Sequence, residues 1–222
     1  MYLYEIHCHT SEGSKCGTST AAEYVKLFKD LGYQGLFITD HFLNGNTTVD
    51  TTLSWEQQIN DFCKGYEIAK AEGDKVGLDV FFGFEYSYGW CHLLTYGLDK
   101  EWLISHPEIM KWSPVEFLNI ARKDGATIVH AHPFRDKIDL VRLFPDHIDG
   151  VEVFNASQSD EANRRALCYA QMMSLPKVAG SDIHNINKNP LGAVKSTKKF
   201  TCINDFAEEL KNNSLEIEKK FL

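Results

Sequence analysis

Residues 35–41 read Gly-Leu-Phe-Ile-Thr-Asp-His (GLFITDH), an uninterrupted apolar run that ends in an acid and an imidazole. A strand with one wet face alternates apolar and polar residues. A strand covered on both faces does not, and such strands belong to parallel sheets flanked by helices. Upstream, Thr20-Ala21-Ala22-Glu23 is a capping box, Val25, Leu27, Phe28 and Leu31 follow at helical spacing, and Gly32 is the stop. YLYEI (2–6) before it reads as a strand. Downstream, Ser54-Trp55-Glu56-Gln57 opens a helix running towards Gly73, and LDVFFGFEY (78–86) and CHLLTYG (91–97) are strand candidates. Ser113-Pro114-Val115-Glu116 combines an N-cap, a first-turn proline and a capping glutamate, with Gly125 as the stop. ATIVHAHP (126–133), GVEVFN (150–155) and KVAGSDIH (177–184) are further strands, with a helix from about Glu161 to Ser174 between the last two. LGAVKSTKKF (191–200) is the last predicted strand and NDFAEELKNN (204–213) the last helix. Repeated alternation predicts an α/β protein with a parallel sheet. Periodicity does not separate an open sheet from a barrel, and 222 residues fall short of the roughly 250 typical of an eight-stranded α/β barrel.

The chain has no low-complexity linker, repeat or charge block, so residues 1–222 read as a single domain. Its formal net charge of -8 argues against non-specific nucleic-acid binding, which needs a basic face. A small anionic substrate stays compatible, because bound metal supplies positive charge locally. No run is long and apolar enough to span a bilayer, and no removable leader is expected. The six cysteines lack CxxC spacing and read as reduced thiols, which makes the cytoplasm the expected compartment.

Of nine histidines, seven fall at or just past a predicted strand end: His7, His9, His41, His92, His130, His132 and His184. Asp40, Glu85, Glu152 and Asp182 share these places. In HCH, strand alternation turns His7 and His9 to one side and Cys8 to the other. In α/β barrels the carboxyl ends of the strands meet on the face that carries the active site, so these side chains are expected to converge. One catalytic zinc uses three protein ligands. The potential ligands here suit two or three divalent ions, and nitrogen with oxygen donors fits zinc, manganese or iron. No GxSxG elbow or P-loop is present, and Cys8 and Cys91 should point away from their neighbouring imidazoles, which argues against a covalent intermediate.

HCHT, ITDH, GFE, HAHPF and GSDIH, together with HLLTYG and VEVFN, resemble in order and spacing the signature blocks of the PHP (polymerase and histidinol phosphatase) superfamily. NRRALCYAQMMSLPKVAGSDIHN resembles its small stand-alone bacterial members, and the resemblance runs from His7 to about Phe200. It implies a distorted TIM-like (β/α)7 barrel with a three-metal centre at its carboxyl face. Carried over by position, His7, His9, Glu85 and Asp182 would hold one ion, and Glu85 would bridge to a second held by His92 and His132. His41 and His184 would hold a third, with Asp40 orienting an imidazole. Relatives often add a histidine or aspartate after the opening block; TSEGSKCGTST has neither, so Glu12 or Cys16 is the candidate, Glu12 matching the other hard ligands. The implied activity is a metal-dependent phosphoesterase in which hydroxide held between two ions attacks the phosphorus of a small phosphomonoester or nucleotide-derived phosphate. An exonuclease-type phosphodiesterase and a non-catalytic metal-binding regulatory domain are the alternatives.

Beyond the ligands, Arg135 has the planar fork that grips phosphate, with a surface pairing to Asp136 or Asp139 as the ordinary alternative. His130 is expected to line the pocket or simply to pack. Asn155 is the expected polar pocket residue and Glu152 a supporting one. Trp55, Trp102 and Trp112 could stack a base or fill the core, the commoner use of tryptophan.

Overall fold

A computed structural model describes residues 1–135 and 138–221. Among these residues nine strands alternate with seven helices: β1 Tyr2–Cys8, α1 Ala21–Asp30, β2 Gly35–Ile38, α2 Trp55–Phe62, α3 Lys64–Val76, β3 Asp79–Tyr88, β4 Cys91–Tyr96, α4 Lys100–Ser105 and α5 Pro114–Lys123. After these come β5 Thr127–Ala131, β6 Gly150–Asn155, α6 Asp160–Met172, β7 Lys177–Gly180, β8 Leu191–Ser196, α7 Ile203–Lys211 and β9 Glu216–Lys220. The capping boxes at Thr20, Ser54 and Ser113 all form, each with its reciprocal side-chain bond.

One sheet runs β7-β6-β5-β4-β3-β2-β1-β8-β9. β1 to β3 are parallel, as are β5 to β7. The sheet nearly closes beyond β7, where His9 N–H donates to Ile183 O at 3.0 Å and Ile183 N–H to His7 O at 3.2 Å. Gly192 permits the closure: a Cβ there would stand 2.3 Å from Gly180 O.

The expected run of β/α units breaks in two places. β4 is antiparallel to both β3 and β5, because only Gly89 and Trp90 separate it from β3 and a two-residue turn cannot make a crossover. β8 and the unpredicted, highly charged β9 form an antiparallel extension beside β1. The helix expected from Ser54 to Gly73 is two helices that meet at Cys63.

The barrel interior holds Tyr4, Ile6, Phe37, Leu94, Tyr96 and Val129, plugged from below by Phe206 and Leu210 of α7. Separate apolar layers lie under the outer helices, where Cys8 and Ile38 pack against Val25 and Phe28, and Phe84 and Ile128 pack with Phe117. In a regular strand Ile6 and Cys8 would share a face. Here they do not, because β1 slips register between Glu5 and Cys8. That slip turns His7 and His9 to the inner end of the barrel.

Candidate metal centre

Strands β1 to β7 carry polar residues to one place. Glu85 and His92 face inwards from β3 and β4, opposite Phe84 and Leu93 of the outer layer. β6 also slips register, between Glu152 and Phe154, so that Glu152 and Asn155 both face the centre although three residues apart. His132 and Asp182 lie just beyond β5 and β7 with φ of 29° and 49°. Non-glycine residues in this left-handed region carry strain that recurs at functional sites.

The His132 twist also settles His130. Val129 and Ala131 belong to the interior, so His130 faces outwards, with its Nε2 3.6 Å from Cys91 Sγ. His132 would follow it there had the backbone not reversed. His130 therefore packs, the second of its two expected places, and does not line the cleft. Burial, with His132 and His92 adding repulsion, lowers its pKa to about 3.

Eight side chains converge. Glu85 sits at the middle, with Oε1 2.9 Å from His92 Nδ1, 3.2 Å from His132 Nε2 and 3.4 Å from His7 Nε2, and Oε2 2.5 Å from His41 Nδ1. Asp182 Oδ1 lies 3.2 Å from His9 Nε2 and 3.5 Å from His7 Nε2. Four groups bring donor atoms close enough to share an ion: His7–His9–Asp182, His7–Glu85–His132, His41–Glu85–His92 and His9–His41–His184. They draw on eight residues expected as ligands but divide them differently: Glu85 meets His132 together with His7 and His92 together with His41, and His9 joins His41 and His184.

The tautomers show that the donors fit cations. His7 Nδ1–H donates to Glu152 Oε1 at 2.9 Å, and His9 Nδ1 meets Ser14 Oγ at 3.3 Å. That leaves the Nε2 lone pairs of both rings facing each other at 3.0 Å, an arrangement that needs a proton or a cation between them. Tetrahedral zinc with bonds near 2.0–2.1 Å has ligand–ligand edges of about 3.3 Å. The His7, His9 and Asp182 donor atoms are spaced 3.0–3.5 Å apart. His41 Nδ1 and Glu85 Oε2, although 2.5 Å apart, are not aligned as a hydrogen bond, and both are buried. Two acceptor atoms aimed at common space are what a bridging ion requires.

Protonation follows the same geometry. Burial opposes charge on His7, but Glu152 and Asp182 outweigh it and hold the ring well above its ordinary pKa. Burial and the neighbouring His41 push His9 well below. Burial alone would raise Glu85 and Asp182, yet the surrounding imidazoles keep both carboxyls well below the usual range.

The supporting residues are only partly the expected ones. Asn155 donates to Asp182 Oδ2 at 3.2 Å and to Glu152 Oε2 at 2.8 Å. Glu152, expected only in a supporting role, also accepts from His132 N–H at 2.9 Å and so fixes two ligands. Asp40 is joined to no imidazole by a hydrogen bond or ion pair among the described residues. It accepts from Ser14 Oγ at 2.7 Å, and Ser14 in turn meets His9. Ser14 carried no sequence signal, since a lone serine in a loop resembles any other. Glu12 is a correction: both its carboxylate oxygens accept from Ala21 N–H, at 3.1 and 3.2 Å, at the start of α1. The positive end of that helix claims the charge. Cys16 instead lines the cleft together with His184 and His41. Burial would raise its thiol, but these two imidazoles bring it down to about 6.

The centre opens into a cleft of about 760 Å³, lined among others by Cys16, Asn46, Trp90, Arg135, Ser157 and Gln158. Arg135 Nη1 lies 3.4 Å from His92 Nδ1, and its guanidinium sits 5.5 Å from the Trp90 ring. The alternative partner Asp136 lies outside the described residues, and no ion pair joins Arg135 to Asp139 among the described residues. Trp55, Trp102 and Trp112 pack against the outer core, so the cleft's tryptophan is Trp90. No helix among the described residues is long and apolar enough to cross a membrane.

No family model matches the chain, and no curated protein does. Solved structures do. A two-domain protein from Bacteroides vulgatus containing a predicted PHP-like metal-dependent phosphoesterase superposes with a TM-score of 0.73 at 16% identity, covering 98% of this chain and 64% of that one. The chain thus spans under two thirds of that relative. A Bifidobacterium adolescentis protein assigned as a metal-dependent phosphoesterase gives 0.58 at 18% identity, covering 95% and 96%. An amidohydrolase from Chromobacterium violaceum with bound sulfate gives 0.60 at 16%, covering 97% of each chain. At these identities the likeness establishes a shared fold, and chemistry must come from the site.

Proposed function

We propose that this protein is a metal-dependent phosphoesterase of the PHP type, acting on a small phosphomonoester or nucleotide-derived phosphate. The observation that carries the reading is the pair of Nε2 lone pairs of His7 and His9, 3.0 Å apart and ringed by Asp182 and Glu85. His7, His9, Asp182 and Glu85 would hold one ion, Glu85 with His92 and His132 a second, and His41 with His184 a third. Divalent ions bound there supply acidified water and positive charge for phosphoryl oxygens. The fold shared with structures described as metal-dependent phosphoesterases, and Arg135 in the cleft lining, support an anionic substrate here.

The chain's own groups do the positioning. Glu152 keeps the His7 proton on Nδ1, Asn155 steadies Asp182, and Asp40 acts through Ser14 on His9. Arg135, at the cleft wall, donates its fork to the phosphate. Cys8 is buried with its thiol raised well above the ordinary value, which suits direct rather than covalent displacement. All six cysteines are unpaired, in keeping with a cytoplasmic setting.

The test is inorganic phosphate release from a panel of small esters, using protein purified without chelator and given manganese, zinc or iron, beside Asp182→Ala. Metal-dependent release lost in the variant supports the reading. Cleavage of a labelled single strand, or of amides instead of esters, redirects it to the exonuclease or amidohydrolase class. Folded, metal-loaded protein without turnover leaves a regulatory metal-binding domain.

A further inference from the structure

We infer that Cys16 is a thiolate ligand of the third ion, so that this position takes a borderline cation such as zinc in a histidine–cysteine shell. The inference rests on the metal-centre reading above and concerns a residue that the ligand pattern of the fold does not supply.

Three observations bring Cys16 to this place. First, the rings of His41 and His184 lie 4.3 and 4.5 Å from that of His9, and their donor atoms form one of the four convergent groups. Second, Cys16 lines the same cleft as His41 and His184. Third, His41 is only 7% exposed, and its Nδ1 is turned to Glu85 Oε2 at 2.5 Å, which leaves its other ring nitrogen for the third position.

The loop around Cys16 is fixed on both sides. Lys15 N–H donates to Asn46 O at 2.9 Å, and Gly17 N–H to Ser14 O at 3.0 Å. Thr18 N–H donates to His184 O at 2.7 Å, tying the loop to the residue that follows β7. Ser14 Oγ also accepts from His41 N–H at 3.0 Å. Backbone bonds thus hold the Cys16 loop against the residues that carry His41 and His184. Glu12, the harder alternative, is engaged at the start of α1. With a thiolate in the shell the third position favours zinc or cobalt, whereas manganese, which prefers oxygen donors, is held there weakly. Binding at this position releases the thiol proton to solvent as the metal–sulfur bond forms.

The test is cobalt loading of the full chain, read by absorption and by metal content. Bound cobalt with a near-ultraviolet thiolate-to-metal charge-transfer band is expected. Cys16→Ser should lose that band and one ion per chain while the visible ligand-field bands of the remaining cobalt persist. Cys168→Ser with Cys202→Ser, which removes the two exposed thiols, should leave the band intact. Circular dichroism confirms that each variant is folded, and Cys16→Ala serves if the serine variant is not. Cobalt bound without the band, or a band surviving in Cys16→Ser, overturns the assignment of Cys16 alone. Absence of any cobalt binding overturns the metal centre and the ligand with it.

Discussion

Replacing Glu152 by glutamine should cripple the centre although it changes only an oxygen to an NH2. Oε1 accepts the His7 Nδ1 proton at 2.9 Å, while Oε2 accepts from His132 N–H at 2.9 Å and from Asn155 Nδ2 at 2.8 Å. All three partners are donors, and a carboxylate is acceptor-only. A glutamine must aim its NH2 at one side or the other. Aimed at His132 and Asn155, it sets donor against donor in a buried site. Aimed at His7, it holds the ring with its proton on Nε2, the nitrogen that faces His9 and Asp182, and that nitrogen ceases to be a ligand. Loss of such an orienting partner typically costs 10–100-fold in metal affinity, or about 1.4–2.7 kcal/mol. The assay is a zinc or manganese titration against a chromophoric chelator, with urea unfolding of the metal-free protein as control. Affinity within about twofold of the parent protein, in a folded variant, would refute the idea that Glu152 sets the His7 tautomer.

Arg135→Ala should raise KM for a phosphate ester by about tenfold or more, the worth of charged hydrogen bonds, with metal content unchanged; an unaltered KM removes Arg135 from substrate binding. Gly180→Ala should weaken both fold and metal binding, because the new Cβ would lie 2.5 Å from Glu152 Oε1 and 2.6 Å from His7 Cβ. Such overpacking costs about 1–3 kcal/mol, read as a lower urea midpoint. The Asp205 carboxyl is held below its ordinary range by Thr201 N–H and Lys198. A depressed folded-state value gives stability that is present above the unfolded pKa and lost as pH falls through the folded one. Asp205→Asn should therefore flatten the acid limb of the stability–pH curve, and an unchanged limb would show that the pairing adds nothing.

The sequence made the candidate ligands legible because a metal site needs rare residue types at strand ends, and six of the seven histidines that fall there converge. Strand type was legible for similar reasons: GLFI is buried on both faces as an unbroken apolar run must be. What the sequence hid was which way a side chain turns where the backbone departs from regularity. HAH reads as two imidazoles on one face, yet φ of 29° at His132 sends them to opposite sides. VEVFN reads as simple alternation, yet its register slip brings Glu152 and Asn155 to the same place. The loop after HCHT hid more still, since Glu12 and Cys16 both have ligand chemistry. Only the placement of α1 shows that the carboxylate has a competing partner in Ala21 N–H. The rule joining these cases is physical. Residue type reports which chemistry is available, whereas bulges, left-handed residues and helix ends decide where it points, and those depend on long-range pairing. In this protein the irregular positions at Glu5–Cys8, Glu152–Phe154, His132 and Asp182 all lie at or beside the metal centre. A regular strand places alternate residues inwards. The centre needs its donors crowded at one end of the barrel, so β1 and β6 slip register and the chain turns left-handed after β5 and β7, while β3 and β4 bring Glu85 and His92 there in regular register.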